Sequence, residues 1–121
     1  MIERPYWATS EGYWNKQCSR LVATCGDVIN GRVSVIETAK YLSYLRTWFR
    51  ADSDPDFLTF TAIDSETDHL PVGDERKHWS EEALLQKDVD IRKAEAFYSE
   101  VAKEAAANLI KKYEIEPDPL D

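Results

Sequence analysis

The sequence lacks long apolar runs, glycine-rich stretches and the common catalytic motifs. No segment approaches the roughly 20 consecutive apolar residues of a membrane-spanning helix, and the first residues do not form the apolar run of a secretory signal. The four glycines are dispersed and form no phosphate-binding loop, and no Gly-x-Ser-x-Gly pattern occurs. We therefore expect a soluble cytoplasmic protein without enzymatic activity and without a cofactor.

Cysteine is scarce as well, because Cys18 and Cys25 are the only two. On one helix these residues would be two turns apart, about 10 Å along the axis. A disulfide requires Cα atoms closer than about 7 Å. We therefore expect two buried thiols in a reducing compartment.

Lysine and arginine are absent from residues 51–75, although the whole chain contains 15 of them. The same stretch contains eight acids, namely Asp52, Asp54, Asp56, Asp64, Glu66, Asp68, Asp74 and Glu75. Within a net charge of −8, such a concentration repels phosphates and attracts basic proteins. The pattern predicts a basic protein partner and no nucleic-acid or membrane partner, and it leaves the oligomeric state open.

The 121 residues, 43% of them hydrophobic, suit one domain with one continuous core. Apolar residues recur every three or four positions over 10–30, which predicts a first helix. A second helix is expected from Ser34, with Glu37 completing a capping box. The short connection between the two predicts an antiparallel helical hairpin.

Two further helices are expected in the second half of the chain. Asp54 followed by Pro55 is a strong helix start, which favours a short third helix over a strand at 57–63. Ser80 starts the longest helix, in which weak helix formers predict a kink or break near 86–90. The fold prediction is an all-α domain of four principal helices over 1–121, with 1–9 and 114–121 extended or frayed.

The segment between the third and fourth helices contains the candidate functional residues, which are Asp64, Glu66, Asp68, His69, Asp74, Glu75 and Trp79. We interpret them as a partner-binding surface, on which the acids steer a basic protein and the tryptophan anchors it. An ordinary loop is the structural alternative, in which Arg76 pairs with a nearby carboxylate.

The same segment also has the atom types of a metal site, so a metal-dependent hydrolase or metal-binding protein using residues 64–78 is a further alternative. The acids from Asp64 onward begin like a calcium loop, but His69 stands where that loop requires glycine. His69 and His78 lack the His-x-x-x-His spacing of a helical zinc site. A self-associating regulatory helical module is the remaining alternative.

Two runs, GRVSVIETAKYLSYL and DFLTFTAIDSETDHLPVGDERKHWSEEAL, resemble a family of small uncharacterised bacterial proteins that is known only as a domain of unknown function. The resemblance covers about residues 28–110, and it implies no established chemistry. In size and charge the chain is also similar to immunity proteins of bacterial toxin and contact-dependent inhibition systems. That likeness implies a protein that binds and occludes a cognate toxin domain, such as a nuclease, through its acidic surface.

Overall fold

The computed structural model describes residues 2–115, which form an all-α domain without strands. Its helices are α1 (Glu11–Ile29), α2 (Val35–Trp48), α3 (Pro55–Thr67), a 3₁₀ helix (Gly73–His78) and α4 (Glu81–Tyr113). The predicted all-α class is confirmed, and residues 57–63 are helical as expected. The predicted extended or frayed tail lies largely outside the described residues, since only Glu114 and Ile115 of it are described.

Each α-helix begins at a side chain that accepts hydrogen bonds from the free N–H groups of the first turn. The capping residues are Ser10, Ser34, Asp54 and Ser80. Asp54 accepts from the N–H groups of both Asp56 and Phe57, and Pro55 occupies the first helical position, where no N–H is needed. The sequence signals for helix starts were therefore accurate.

The packing of the helices differs from the predicted hairpin. A short loop connects α1 to α2, but of the helix pairs with substantial contact these two touch each other least. Instead α1 packs mainly on α4, and α2 packs mainly on α3. On α4 the small residues Ala102, Ala105 and Ala106 are all buried, and such small side chains allow a close approach of the helix axes.

The core is closed at one end by a cluster of aromatic rings. Phe49 lies 4.9 Å from Tyr113 and 5.4 Å from Trp14 between ring centroids, so α1, α2 and α4 meet there. The N-terminal segment joins the same end, because the N–H of Ile2 donates to the carbonyl of Lys112 at 2.7 Å.

With 33 residues, α4 is about 50 Å long at 1.5 Å per residue and links the two ends of the domain. All of its buried residues lie at or beyond Ala102, and its first half is only partly covered. The helix continues through residues 86–90 without the predicted break. Among residues 2–115, no helix has the combination of length and apolar content that crossing a membrane requires.

Candidate functional site

Two of the acids from residues 51–75 are compensated at the start of α3. Lys112, near the end of α4, donates to Asp54 at 3.0 Å and to Asp56, and Asn108 also donates to Asp56. Burial disfavours the charged form of Lys112, but the hydrogen bonds to Asp56 and Asp54 outweigh this and raise the pKa of the lysine. These acids stabilise the fold, and they are not available to a partner.

Two further acids also have a basic partner within the chain. Asp64, one of the predicted site residues, forms a 3.2 Å ion pair with Lys40 of α2. Asp52 lies 3.7 Å from Arg46, also of α2, and remains exposed to solvent. Basic residues of α2 and α4 therefore compensate part of the negative charge of residues 51–75. Asp64 is one of the compensated acids and is not part of a free acidic surface.

The remaining four acids are Glu66, Asp68, Asp74 and Glu75. All four are exposed, and none forms an ion pair with another described residue. They lie within ten positions of one another, from the last turn of α3 to the 3₁₀ helix. We call these four residues the acidic patch; it is the part of the predicted surface that the structure leaves available.

The loop beneath the acidic patch is held to the domain by apolar and ionic contacts. Leu70 and Pro71 are buried. Arg76 donates two hydrogen bonds to Asp88 of α4, at 2.7 and 3.1 Å, and a third to the carbonyl of Pro71. The hydrogen bond from Arg76 lowers the pKa of Asp88. The arginine thus has a carboxylate partner, but this partner comes from α4 and leaves the acidic patch uncompensated.

The other predicted site residues differ in accessibility. His69 and His78 are exposed. Trp79 is half-buried at the end of the 3₁₀ helix, where its backbone N–H donates to the carbonyl of Arg76. Within the described part of the chain, no three His, Cys, Asp or Glu side chains lie close enough together to hold a metal ion.

A groove runs between the end of α3 and the middle of α4, next to the acidic patch. We call it the α3–α4 groove; its apolar lining residues are Leu70, Ala94, Phe97 and Tyr98, and its polar ones are Glu66, Thr67, His69, Asp90 and Lys93. Phe97 is 78% exposed, and its ring meets that of Tyr98 edge to face at 4.9 Å between centroids. The groove thus combines an accessible aromatic ring with two predicted site residues, Glu66 and His69.

Sequence reasoning missed Phe97 as a functional candidate. It lies one position before Tyr98 and therefore about 100° away from the apolar stripe that packs α4 on the domain. A large aromatic residue outside the apolar stripe of α4 was the available signal. The depth of the groove, in contrast, depends on how α3 packs on α4, and the local pattern does not contain it.

No protein-family model, curated protein or solved structure matches this chain.

Proposed function

We propose that this protein is a binding domain whose contact surface is the acidic patch together with the α3–α4 groove. The observation that carries the proposal is the exposed ring of Phe97 beside acids that have no ion-pair partner among the described residues. An apolar anchor bordered mainly by acids suits a protein-binding surface, in which the anchor provides residence time and the charges accelerate encounter.

The partner that fits this surface is a basic protein with an apolar side chain among its lysines and arginines. Glu66 and Asp90 line the groove, while Asp68, Asp74 and Glu75 extend the negative field beyond it. Lys93 is the one basic residue of the lining. Because the net charge of the chain is −8, long-range attraction favours the same kind of partner.

More specifically, we propose that the chain is a bacterial immunity-type protein of the cytoplasm, which occludes a cognate toxin domain such as a nuclease with a basic cleft. Inhibition by occlusion requires no catalytic residue, which agrees with the lack of a catalytic motif in the sequence. It also uses a rigid surface, and the buried loop residues Leu70 and Pro71 together with the Arg76–Asp88 pair provide one. No observation favours the metal-dependent alternative in the same way.

The experiment is coexpression with the product of the gene immediately upstream. If that product alone arrests growth, coexpression of the protein should restore growth, and the two should copurify. We expect Phe97→Ala to weaken binding by about 30-fold, mainly through faster dissociation, since an aromatic anchor contributes about 2 kcal/mol. Copurification without growth rescue would support binding but contradict the immunity role.

A charge variant tests the acidic patch separately from the groove. Replacing Glu66, Asp68 and Glu75 by their amides should slow association about tenfold at low salt and flatten its salt dependence. The matched control replaces the exposed Glu3, Glu11 and Glu104 by glutamine, which changes the net charge equally. Equal effects of the two triple variants would show that only the total charge matters, and the proposed surface would be wrong.

A further inference from the structure

A second concave site lies at the opposite end of the domain from the acidic patch. It is an open cavity of about 320 Å³ where the N-terminal segment crosses the start of α1 and the end of α2. We call it the aromatic pocket; Trp7, Tyr13, Trp14 and Trp48 line it together with Ser10 and Arg50. Since Trp14 lies 6.4 Å from Tyr113 between ring centroids, the pocket is beside the end of α4, whereas the acidic patch is beside its first half.

The walls of the aromatic pocket are suited to a planar ring. Trp7 meets Trp14 and Trp48 edge to face, with centroids 5.9 and 5.7 Å apart. Tyr13 meets Trp48 in the same way at 5.5 Å. Trp7 and Trp48 are only partly buried and Tyr13 is exposed, so their rings are accessible at the cavity. Ring edges and faces at such angles can accommodate a further aromatic ring, stacked or edge-on.

Arg50 places a cation at this cavity. Its guanidinium carbon lies 4.6 Å from the ring centroid of Trp7, and the residue is exposed. No acid lines the pocket, and among the described residues Arg50 has no ion-pair partner. The guanidinium is therefore free to bind a carboxylate through two parallel hydrogen bonds.

The backbone at Arg50 is unusual and determines where this cation lies. The N–H of Ala51 donates to the carbonyl of Arg46 and that of Arg50 to the carbonyl of Thr47, which is the Schellman ending of a helix. The residue at this position has a positive φ, here 52°, and is normally glycine. Arg50 thus occupies a strained backbone position that usually holds glycine, and its side chain lies over the ring of Trp7.

We propose that the aromatic pocket binds a small aromatic carboxylate, whose ring lies against the tryptophans while its carboxylate pairs with Arg50. The lining supports an anionic ligand, because Arg50 is its charged residue and none of the described lining residues is an acid. Thr9 and Ser10 also line the cavity and add polar residues to its wall. The site is separate from the surface proposed for the protein partner, and it does not depend on that function.

The test uses three probes with the same ring system: indole-3-carboxylate, the neutral indole-3-carboxamide and the cation tryptamine. The indole N–H signals of the ¹⁵N-labelled protein are followed by NMR and assigned with Trp7→Phe and Trp48→Phe. We expect saturable shifts of the Trp7 and Trp48 signals with the carboxylate, and about tenfold weaker binding of the carboxamide, since one charge-assisted contact is lost. No saturable shift up to the solubility limit, equal affinities, or tighter binding of tryptamine would overturn the proposal.

Arg50→Gly separates the charge from the aromatic walls. Glycine is the usual residue at this turn, so the variant is expected to fold, and unchanged signals from α3 and the first half of α4 would verify this. Its affinity for the carboxylate should fall to that for the carboxamide, whose own affinity should stay the same. Arg50→Lys should retain part of the preference for the carboxylate. If Arg50→Gly bound both probes as the wild type does, the assigned role of Arg50 would be wrong.

Discussion

Glu95 is a single side chain that holds two helices together. Its carboxylate on α4 accepts hydrogen bonds from the hydroxyl of Ser34 and from the N–H groups of Val35 and Ile36, so it caps the start of α2 from another helix. The N-terminal end of a helix attracts negative charge, which strengthens this arrangement. The capping box predicted from Ser34 and Glu37 is only half formed: Ser34 accepts from the N–H of Glu37, while the carboxylate of Glu95 accepts from the N–H groups of Val35 and Ile36.

Replacing Glu95 by alanine should therefore lower the free energy of unfolding by about 1–3 kcal/mol, because two backbone N–H groups at the start of a packed helix lose their acceptor. Urea denaturation measures the change. Glu100→Ala is the matched control, since Glu100 is exposed on the same helix, and it should change stability by less than about 0.5 kcal/mol. Similar losses in both variants would mean that the cap contributes nothing beyond helix propensity.

Lys112 has a comparable role at the other end of α4. We expect Lys112→Met to lower the free energy of unfolding by about 1–2 kcal/mol at neutral pH, because Asp54 and Asp56 then lose their cation. Lys111→Met is the control, since Lys111 is exposed. Urea denaturation of the two variants gives the comparison, and an equal loss in both would contradict a specific role for the Lys112 pairs.

The contribution of Lys112 should also depend on pH in a defined direction. Because the pKa of Lys112 is raised in the folded protein, its stabilisation is complete below the pKa of an unfolded lysine, about 10.4, and is lost as pH rises through the higher folded value. Between neutral and alkaline solution, the difference in stability between wild type and Lys112→Met should therefore stay constant up to about pH 10 and shrink above it. A difference that already shrank between about pH 7 and 9, below the pKa of an unfolded lysine, would contradict this sign.

Helix starts were predictable element by element, because a capping side chain and the first turn it serves are neighbours in the sequence. Asp54 with Pro55, and Ser80 before two glutamates, contain the whole signal within four residues. The pairing of helices was not predictable in this way. A short loop suggested that α1 packs on α2, but the buried faces of α1 and α2 are covered by α4 and α3, respectively, which are distant in the sequence.

The 3₁₀ helix depends on a contact with a neighbouring element for its position. Replacing Asp88 by asparagine removes the charge that pairs with Arg76, and we expect severalfold faster hydrogen exchange at the amides of 73–78. Asp90→Asn is the control, because Asp90 is exposed on the same helix and forms no ion pair with a described residue. Equal exchange in the two variants would show that the buried loop residues suffice to hold this segment.

Strong acid should also accelerate hydrogen exchange at the amides of 73–78 in the wild type. The hydrogen bond from Arg76 lowers the pKa of Asp88, so the stabilisation is present above the pKa of an unfolded aspartate, about 3.9, and is lost as pH falls through the lower folded value. Exchange at 73–78 should therefore approach that of Asp88→Asn only in strongly acidic solution. Faster exchange already at pH 5–6 would require a different titrating group.

The net charge of the molecule follows from the sequence, but the sequence does not predict which acids remain without an ion-pair partner. Residues 51–75 contain eight acids and no base, which suggested a continuous free surface. Folding brings Lys40, Arg46 and Lys112 to four of these acids, and four remain free of ion pairs within the described chain. The compensating residues are up to 58 positions away from the acids they meet, so only the tertiary structure identifies the available patch.

The rate at which the two cysteines react with a thiol reagent measures how often the whole domain opens. Both thiols are buried in the core, and burial raises the pKa of Cys18 to about 11 and that of Cys25 to about 12, so neither is an exposed thiolate at neutral pH. We expect a thiol reagent such as DTNB to label the native protein only as fast as the core opens, and to label it at once in urea. Ser19→Cys, at an exposed position of α1, provides a control that should react immediately under native conditions.

The labelling rate should follow global stability because Cys18 and Cys25 lie on the face of α1 that packs into the shared core. Glu95→Ala, which weakens the start of α2, should then accelerate labelling of both thiols by the same factor by which it raises the unfolded population. That factor is calculated from the urea measurement, so the prediction has no free parameter. If the thiols reacted at an unchanged rate while stability fell, α1 would open separately from the other helices, and the domain would not unfold as one cooperative unit.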